Sequence, residues 1–210
     1  ALQRSVVRGE VQLAPQDDRL LDTVFDTDRF QGKESERIAA ARELIRMVLP
    51  RPFAPGVHWI GADLGERGDP TEIIVSEQVG TQYRDVFRLK AKGLPYHIQR
   101  AIVHAIHELT GFRAFWGVDL GSAGTAVVKD LQTLDEYRAG NYDAQMFGFH
   151  FQNTVPCIDA DGNELTQEDS DGETEVIKAP AKHWATQCIV STLQARRYAM
   201  AFDSEVIDQM

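Results

Sequence analysis

"HWIGADLGERGDP", residues 58–70, climbs through alternating apolar positions to a lone aspartate, Asp63, and then breaks into glycine. "RAFWGVDLG", residues 113–121, repeats the design with an aromatic run, a glycine, Asp119, leucine and glycine. Alternation bounded by glycine reads as a half-buried strand, so each aspartate stands where a strand gives way to a turn. If the two strands are parallel neighbours, about 4.8 Å apart, both carboxylates project from the same end of the sheet. Two carboxylates that close repel, and one pKa rises unless a cation lies between them. An all-oxygen set favours magnesium or manganese over zinc. Asp69, on the loop before the next strand, reaches the same centre. The competing reading makes each aspartate the cap of its own turn, and it weakens when two such motifs end matching strands.

Working outward, "TEIIVSEQV" (71–79) reads as a second strand, and Gly80-Thr81 turns it into a third, "YRDVFRLKA" (83–91). On that third strand Arg84, Arg88 and Lys90 fall on one face, with Phe87 and Leu89 on the other, as on an outer strand with a wet, basic side. "PYHIQRAIVHAIHELT" (95–110) is a helix with Ile98, Ile102, Ala105, Ile106 and Leu109 on its buried stripe and Arg100, His104 and His107 opposite. The strand carrying Asp119 follows, then a helix over "SAGTAVVKDLQTLDEY" and a fifth strand over "AQMFGFHFQ". An acidic hairpin turning at Asp161-Gly162 and a last helix, "AKHWATQCIVSTLQARRYAMAF" (181–202), complete the chain. The order predicts an α/β fold: a mixed five-stranded sheet, made of an antiparallel meander plus crossover strands, with flanking helices and an additional β-hairpin. Residues 1–50 read as an acidic arm or linker followed by the helix "ESERIAAARELIRMVLP", and residues 51–210 as the main domain.

The formal net charge of the 210 residues is −10, which at first sight argues against nucleic acid. Its distribution matters more. Residues 84–129 hold seven basic and three acidic residues, whereas residues 130–177 hold one basic and twelve acidic. A basic patch can still grip phosphates, particularly where metal ions bridge carboxylates to them. No apolar run approaches the roughly 20 residues that span a bilayer, so no membrane is expected. The two cysteines, Cys157 and Cys188, lack metal-type spacing, and a reducing intracellular compartment is expected. The chain starts at Ala1 and reads as a piece of something longer.

Rival motifs are weaker. Asp159, Asp161 and Asn163 imitate the start of a calcium loop, but Glu164 stands where glycine is needed. "HAIHE" lacks the i, i+4 histidine pair of zinc proteases, and no Gly-x-x-x-x-Gly-Lys-Ser/Thr loop is present.

Taken in order, "HWIGADLGERGDPTEIIVSEQ", "YRDVFRLKAKGLPYHIQRAIVHAI", "FWGVDLGSAGTAVVKDL" and "ARRYAMAFDSEVIDQM" resemble the C-terminal nuclease domain of the large terminase subunit of tailed bacteriophages. The resemblance implies a ribonuclease H-like fold and two-metal cleavage of concatemeric double-stranded DNA during genome packaging, with Mg2+ or Mn2+ as cofactor. It makes Asp63 and Asp119 the catalytic, metal-holding acids and Asp69 an additional acid near them. It offers no counterpart for the family's third main acid, since Asp203 and Asp208 stand in a different context. Arg67, Arg84, Arg88, Lys90, Arg100, Arg196 and Arg197 are the candidate contacts to the DNA backbone. The implied partners are the terminase ATPase region, the small terminase subunit and the portal, in the cytoplasm of the infected bacterial host. A second reading, suggested by "TLQARRYAMAF", is an ATP-independent single-stranded DNA-annealing protein using Arg100, Arg196 and Arg197 without a metal. A third keeps the fold as an assembly module.

Overall fold

In a computed structural model of the chain, the residues described are 6–7, 27–49, 51–65, 69–121, 123–151, 153–159, 162–168, 172–183, 185, 195 and 197–201. A two-residue strand, β1 (Val6–Val7), precedes a 3-10 turn at Thr27–Phe30 and helix α1 (Glu34–Val48). Then come β2 (His58–Asp63), β3 (Pro70–Val79), β4 (Gln82–Lys92) and α2 (Tyr96–Leu109). These lead to β5 (Ala114–Asp119), α3 (Ala123–Thr133), a 3-10 segment at Asp135–Gly140, the one-turn α4 (Tyr142–Gln145) and β6 (Met146–Phe149). The five strands expected from sequence lie side by side in the order β4-β3-β2-β5-β6. Here β2, β3 and β4 form the antiparallel meander, and β5 and β6 join by parallel pairing.

The sheet extends further than expected. Tyr198–Ala201, read from sequence as the end of a helix, is a strand, β11, parallel to β4, and β1 pairs with it in turn, giving seven strands. Helix is present at Ala181–His183. The rest of the expected last helix, apart from Ala185, Ala195 and Arg197, falls outside the described residues. Two small two-stranded sheets replace the single acidic hairpin. One pairs β7 (Thr154–Pro156) with β10 (Lys178–Pro180), and the other pairs β8 (Thr166–Glu168) with β9 (Thr174–Val176).

One face of the sheet carries the core. Ile60, Ala62, Ile73, Val75, Phe87, Leu89, Trp116 and Val118 are all buried and cluster with Ile98, Ile102 and Ile106 of α2 and Val127 and Leu131 of α3. The connection from β4 through α2 to β5 and that from β5 through α3 to β6 run in the same direction along the sheet. Right-handed crossovers therefore lay both helices on this one face. Helix α1 packs into the same core through Ile38, Ala41, Leu44 and Ile45. The Glu34 carboxylate fastens its first turn, accepting hydrogen bonds from Arg37 and the Tyr137 hydroxyl and pairing with Arg100.

The helix face expected to be polar is instead buried. His104 and His107 are 5% and 0% exposed because the segment from Tyr137 to Tyr142 folds over them. His107 uses both ring nitrogens: Nε2 lies 2.8 Å from the Gly140 carbonyl, and the Trp116 indole N–H donates to Nδ1 at 3.2 Å. That fixes a neutral Nε2–H tautomer. His104 Nδ1 lies 2.8 Å from the Tyr142 hydroxyl.

Candidate functional site

The expected geometry of the two acidic motifs is present. β2 and β5 are adjacent and parallel, with His58 opposite Ala114, Gly61 opposite Gly117 and Ala62 opposite Val118. Asp63 and Asp119 are the next residues on the two strands. They leave the same end of the sheet on the face opposite this core, since the partners before them, Ala62 and Val118, point into the core.

Backbone contacts fix both strand ends. Beyond Asp63, the Gly65 N–H donates to the Thr71 hydroxyl at 3.2 Å, and Gln99 of α2 donates its side-chain amide to the carbonyls of Gly65 and Leu94. Gly65 is required by close approach, because a Cβ there would stand 2.2 Å from the Asp69 carbonyl oxygen. Beyond Asp119, the Gly121 N–H donates to the Asp119 carboxylate at 3.1 Å, and the Leu120 N–H donates to Phe149 of β6. Gly124 in the first turn of α3 packs so tightly that a Cβ would lie 1.8 Å from the Asp119 carbonyl oxygen. The two similar motifs thus use their trailing glycines differently: one admits a loop, the other binds the acid.

A third acid enters through pairing. Glu72 on β3 stands directly opposite Asp63, and directly opposite residues of an antiparallel pair share a face. Burial, first, and then the charges of Asp119, Glu72 and Asp69 push the Asp63 carboxyl above its ordinary range. Glu72 moves the other way. Burial works against its charge, but hydrogen bonds and charge from Arg88 and Lys90, at 3.0 and 3.2 Å, outweigh it and hold the carboxyl low.

The basic residues do not share one face as expected. Between β3 and β4 the register passes from Val75 opposite Phe87 to Ser76 opposite Asp85, so Val86 is an extra residue. This β-bulge exchanges the two faces on either side of it. Arg88 and Lys90 point to the acid face beside Glu72. Arg84, opposite Glu77, points to the core side, where it and Arg51 close on the buried Glu77 carboxylate. Arg100 is paired with Glu34 and Asp130. Arg197 is exposed and donates from Nε to the Thr81 carbonyl at 3.4 Å. Asp69 is described and exposed. Arg67, Arg196, Asp203 and Asp208 fall outside the described residues. The signal for Glu72 was in the sequence, two positions from Ile74 on the wet face of an alternating strand. Gln99 and Thr71 carried none, since their partners are backbone carbonyls and amides set by the fold.

The donor set fits a hard divalent cation. It consists of carboxylates alone, and a cation relieves the repulsion among them that adds to burial in raising Asp63. Among the described residues no three acidic, histidine or cysteine side chains gather into one ligand group. Magnesium needs only one or two protein carboxylates and takes its other ligands from water and phosphate oxygens.

No protein-family model matches the chain, and no curated protein matches it in sequence. Solved structures do. The crystal structure of the large terminase nuclease from thermophilic phage G20c with bound magnesium matches 77% of this chain and 67% of its own at a TM-score of 0.51 and 15% identity. The same nuclease with bound zinc matches over 77% of this chain and 74% of its own, at a TM-score of 0.50 and 15% identity. At that identity the likeness is one of fold, and the fold is ribonuclease H-like, as in these terminase nucleases.

Proposed function

We propose that this domain is the metal-dependent endonuclease of a phage large terminase subunit, cutting concatemeric double-stranded DNA during genome packaging. The observation that carries the reading is the in-register pair Asp63 and Asp119 at matching ends of two parallel strands, in a fold shared with terminase nucleases. Asp63 and Asp119 would hold Mg2+ or Mn2+, with Asp69 beside them. Two such ions, when bound, supply an activated water for in-line attack and stabilise the leaving 3′-oxygen.

The chain's own residues do the rest. Gln99, Thr71 and the Gly121 N–H keep the two acids at a fixed separation, so no reorganisation is needed when the cation arrives. Arg88 and Lys90, on the same face, grip a backbone phosphate without reading sequence, so binding weakens as salt rises. The full motor, with its ATPase region, small subunit and portal in the infected host's cytoplasm, supplies translocation and the choice of cut. Among the described residues no helix is long and apolar enough to cross a membrane. No observation favours the annealing reading, in which Arg100 needs to face solvent rather than Glu34 and Asp130.

The test is nicking and linearisation of supercoiled plasmid in magnesium, in manganese and in EDTA, beside Asp63→Ala and Asp119→Ala. Cutting that needs the metal and disappears in both variants is expected. Cutting that survives EDTA or both substitutions, or a wild-type protein that binds no Mn2+ by calorimetry, refutes the proposal.

A further inference from the structure

Asp63, Glu72 and Lys90 form a continuous row across β2, β3 and β4, because Asp63 pairs with Glu72 and Glu72 with Lys90. With Asp119 on β5 the row reads acid, acid, acid, base. Arg88 lies one step along β4 on the same face, its side chain only 10% exposed. Three carboxylates therefore share one face, yet they do not form a three-ligand group. Their arrangement explains why. Glu72 reaches the two cations, with one carboxylate oxygen on Arg88 and the other on Lys90.

Glu72 thus stands between the acids suited to a cation and the cations suited to a phosphate. Both groups draw on it, and it cannot satisfy both fully.

We infer that Glu72 is a positioning residue that acts as an exchangeable counter-ion, coupling DNA binding to divalent-cation binding. Without DNA its charge is spent on Arg88 and Lys90. A backbone phosphate that takes over those two cations frees the Glu72 charge for the Asp63 side, where it strengthens the hold on the cation. By reciprocity the cation strengthens the hold on DNA by the same factor. The inference rests on the nuclease reading, and the experiment separates the two.

Binding of a short fluorescein-labelled duplex is followed by anisotropy on ice, in EDTA and in Mn2+, for the wild type, Glu72→Gln and Asp63→Asn. Mn2+ should tighten wild-type binding by about fivefold or more, the low end of ordinary coupling between sites. Glu72→Gln should bind more tightly than the wild type in EDTA, because one negative charge beside Arg88 and Lys90 is gone, and gain less than about twofold from Mn2+. Asp63→Asn should lose the Mn2+ gain altogether. If Asp63→Asn keeps the gain, the nuclease centre itself is misassigned. If Asp63→Asn loses it while Glu72→Gln keeps it in full, the centre stands and the role of Glu72 falls, as it does if the wild type shows no gain. Lys90→Gln gives a second readout without DNA. With Glu72 held by one cation fewer, Mn2+ affinity by calorimetry should rise, and an unchanged or weaker affinity overturns the inference.

Discussion

The buried histidine pair makes stability depend on pH in a way that can be worked out in advance. Burial, first, and then electrostatic interaction with His107 and Arg42 pull His104 from 6.5 down to about 4. Unfolded, the same imidazole takes up its proton near its ordinary value. Below 6.5 the unfolded chain therefore binds a proton that the folded one refuses, and stability falls with pH until about 4, where the native histidine also protonates. The gap of about 2.5 pH units corresponds to about 3.4 kcal/mol in full, of which about 2.5 kcal/mol is gone by about pH 4.5. His107 and His58 are shifted in the same direction, both chiefly by burial, so the wild-type profile alone does not isolate His104. A difference measurement does. Urea unfolding of the wild type and of His104→Gln, which keeps a polar partner for Tyr142 but has no proton to take up, should give stability curves that converge as pH falls. The wild type should lose about 2–3 kcal/mol more than the variant between neutral pH and about pH 4.5. Parallel curves would refute the argument, because a His104 that protonates freely when folded contributes no such difference.

Gly124→Ala drives a methyl group into the Asp119 carbonyl. It should cost about 1–3 kcal/mol in urea unfolding and weaken Mn2+ binding by calorimetry, whereas Gly61→Ala, where a Cβ meets nothing, should cost much less. Gln99→Ala strips a donor from the Gly65 and Leu94 carbonyls. A loss of about 2 kcal/mol in the same assay is expected, with a loosened metal site. Asp63 should titrate above the ordinary aspartate range in a carboxyl-carbon NMR titration of the free protein. Asp119→Asn should bring it only part of the way down, because burial and not Asp119 is the larger cause.

What sequence revealed and what it concealed divide along one line. The ends of β2 and β5 were legible because each depends on its own few residues: alternation, an aspartate and a glycine turn. That the two strands are neighbours followed from matching one local pattern to another. The face of Arg84 was not legible, because the bulge at Val86 is a property of two strands in register and leaves no mark in one of them. Likewise, His104 and His107 occupy a polar stripe by any helical wheel, and packing against Phe112 and the distant segment from Tyr137 to Tyr142 converts that stripe into interior. The strand at Tyr198–Ala201 was hidden for the same reason. "RRYAMAF" suits a helix, and what makes it extended is the open edge of β4 more than a hundred residues earlier. Glu72 was legible as a wet-face residue but not as a partner, since its meaning depends on Asp63 on one side and Lys90 on the other.

The way β2 and β5 meet has a consequence for how such a domain tolerates change. Fifty-five residues separate Gly61 from Gly117, counted between the two, yet the two acids beyond them are spaced by a hydrogen-bonded ladder and not by that intervening chain. Insertions in the meander turn or after α2 leave the spacing untouched. A single deletion inside β2 or β5 turns its aspartate into the core, with no half-way position available. The distance between the two carboxylates is therefore quantised. Relatives of this domain can drift far in sequence and loop length, and the centre will either persist at full spacing or vanish.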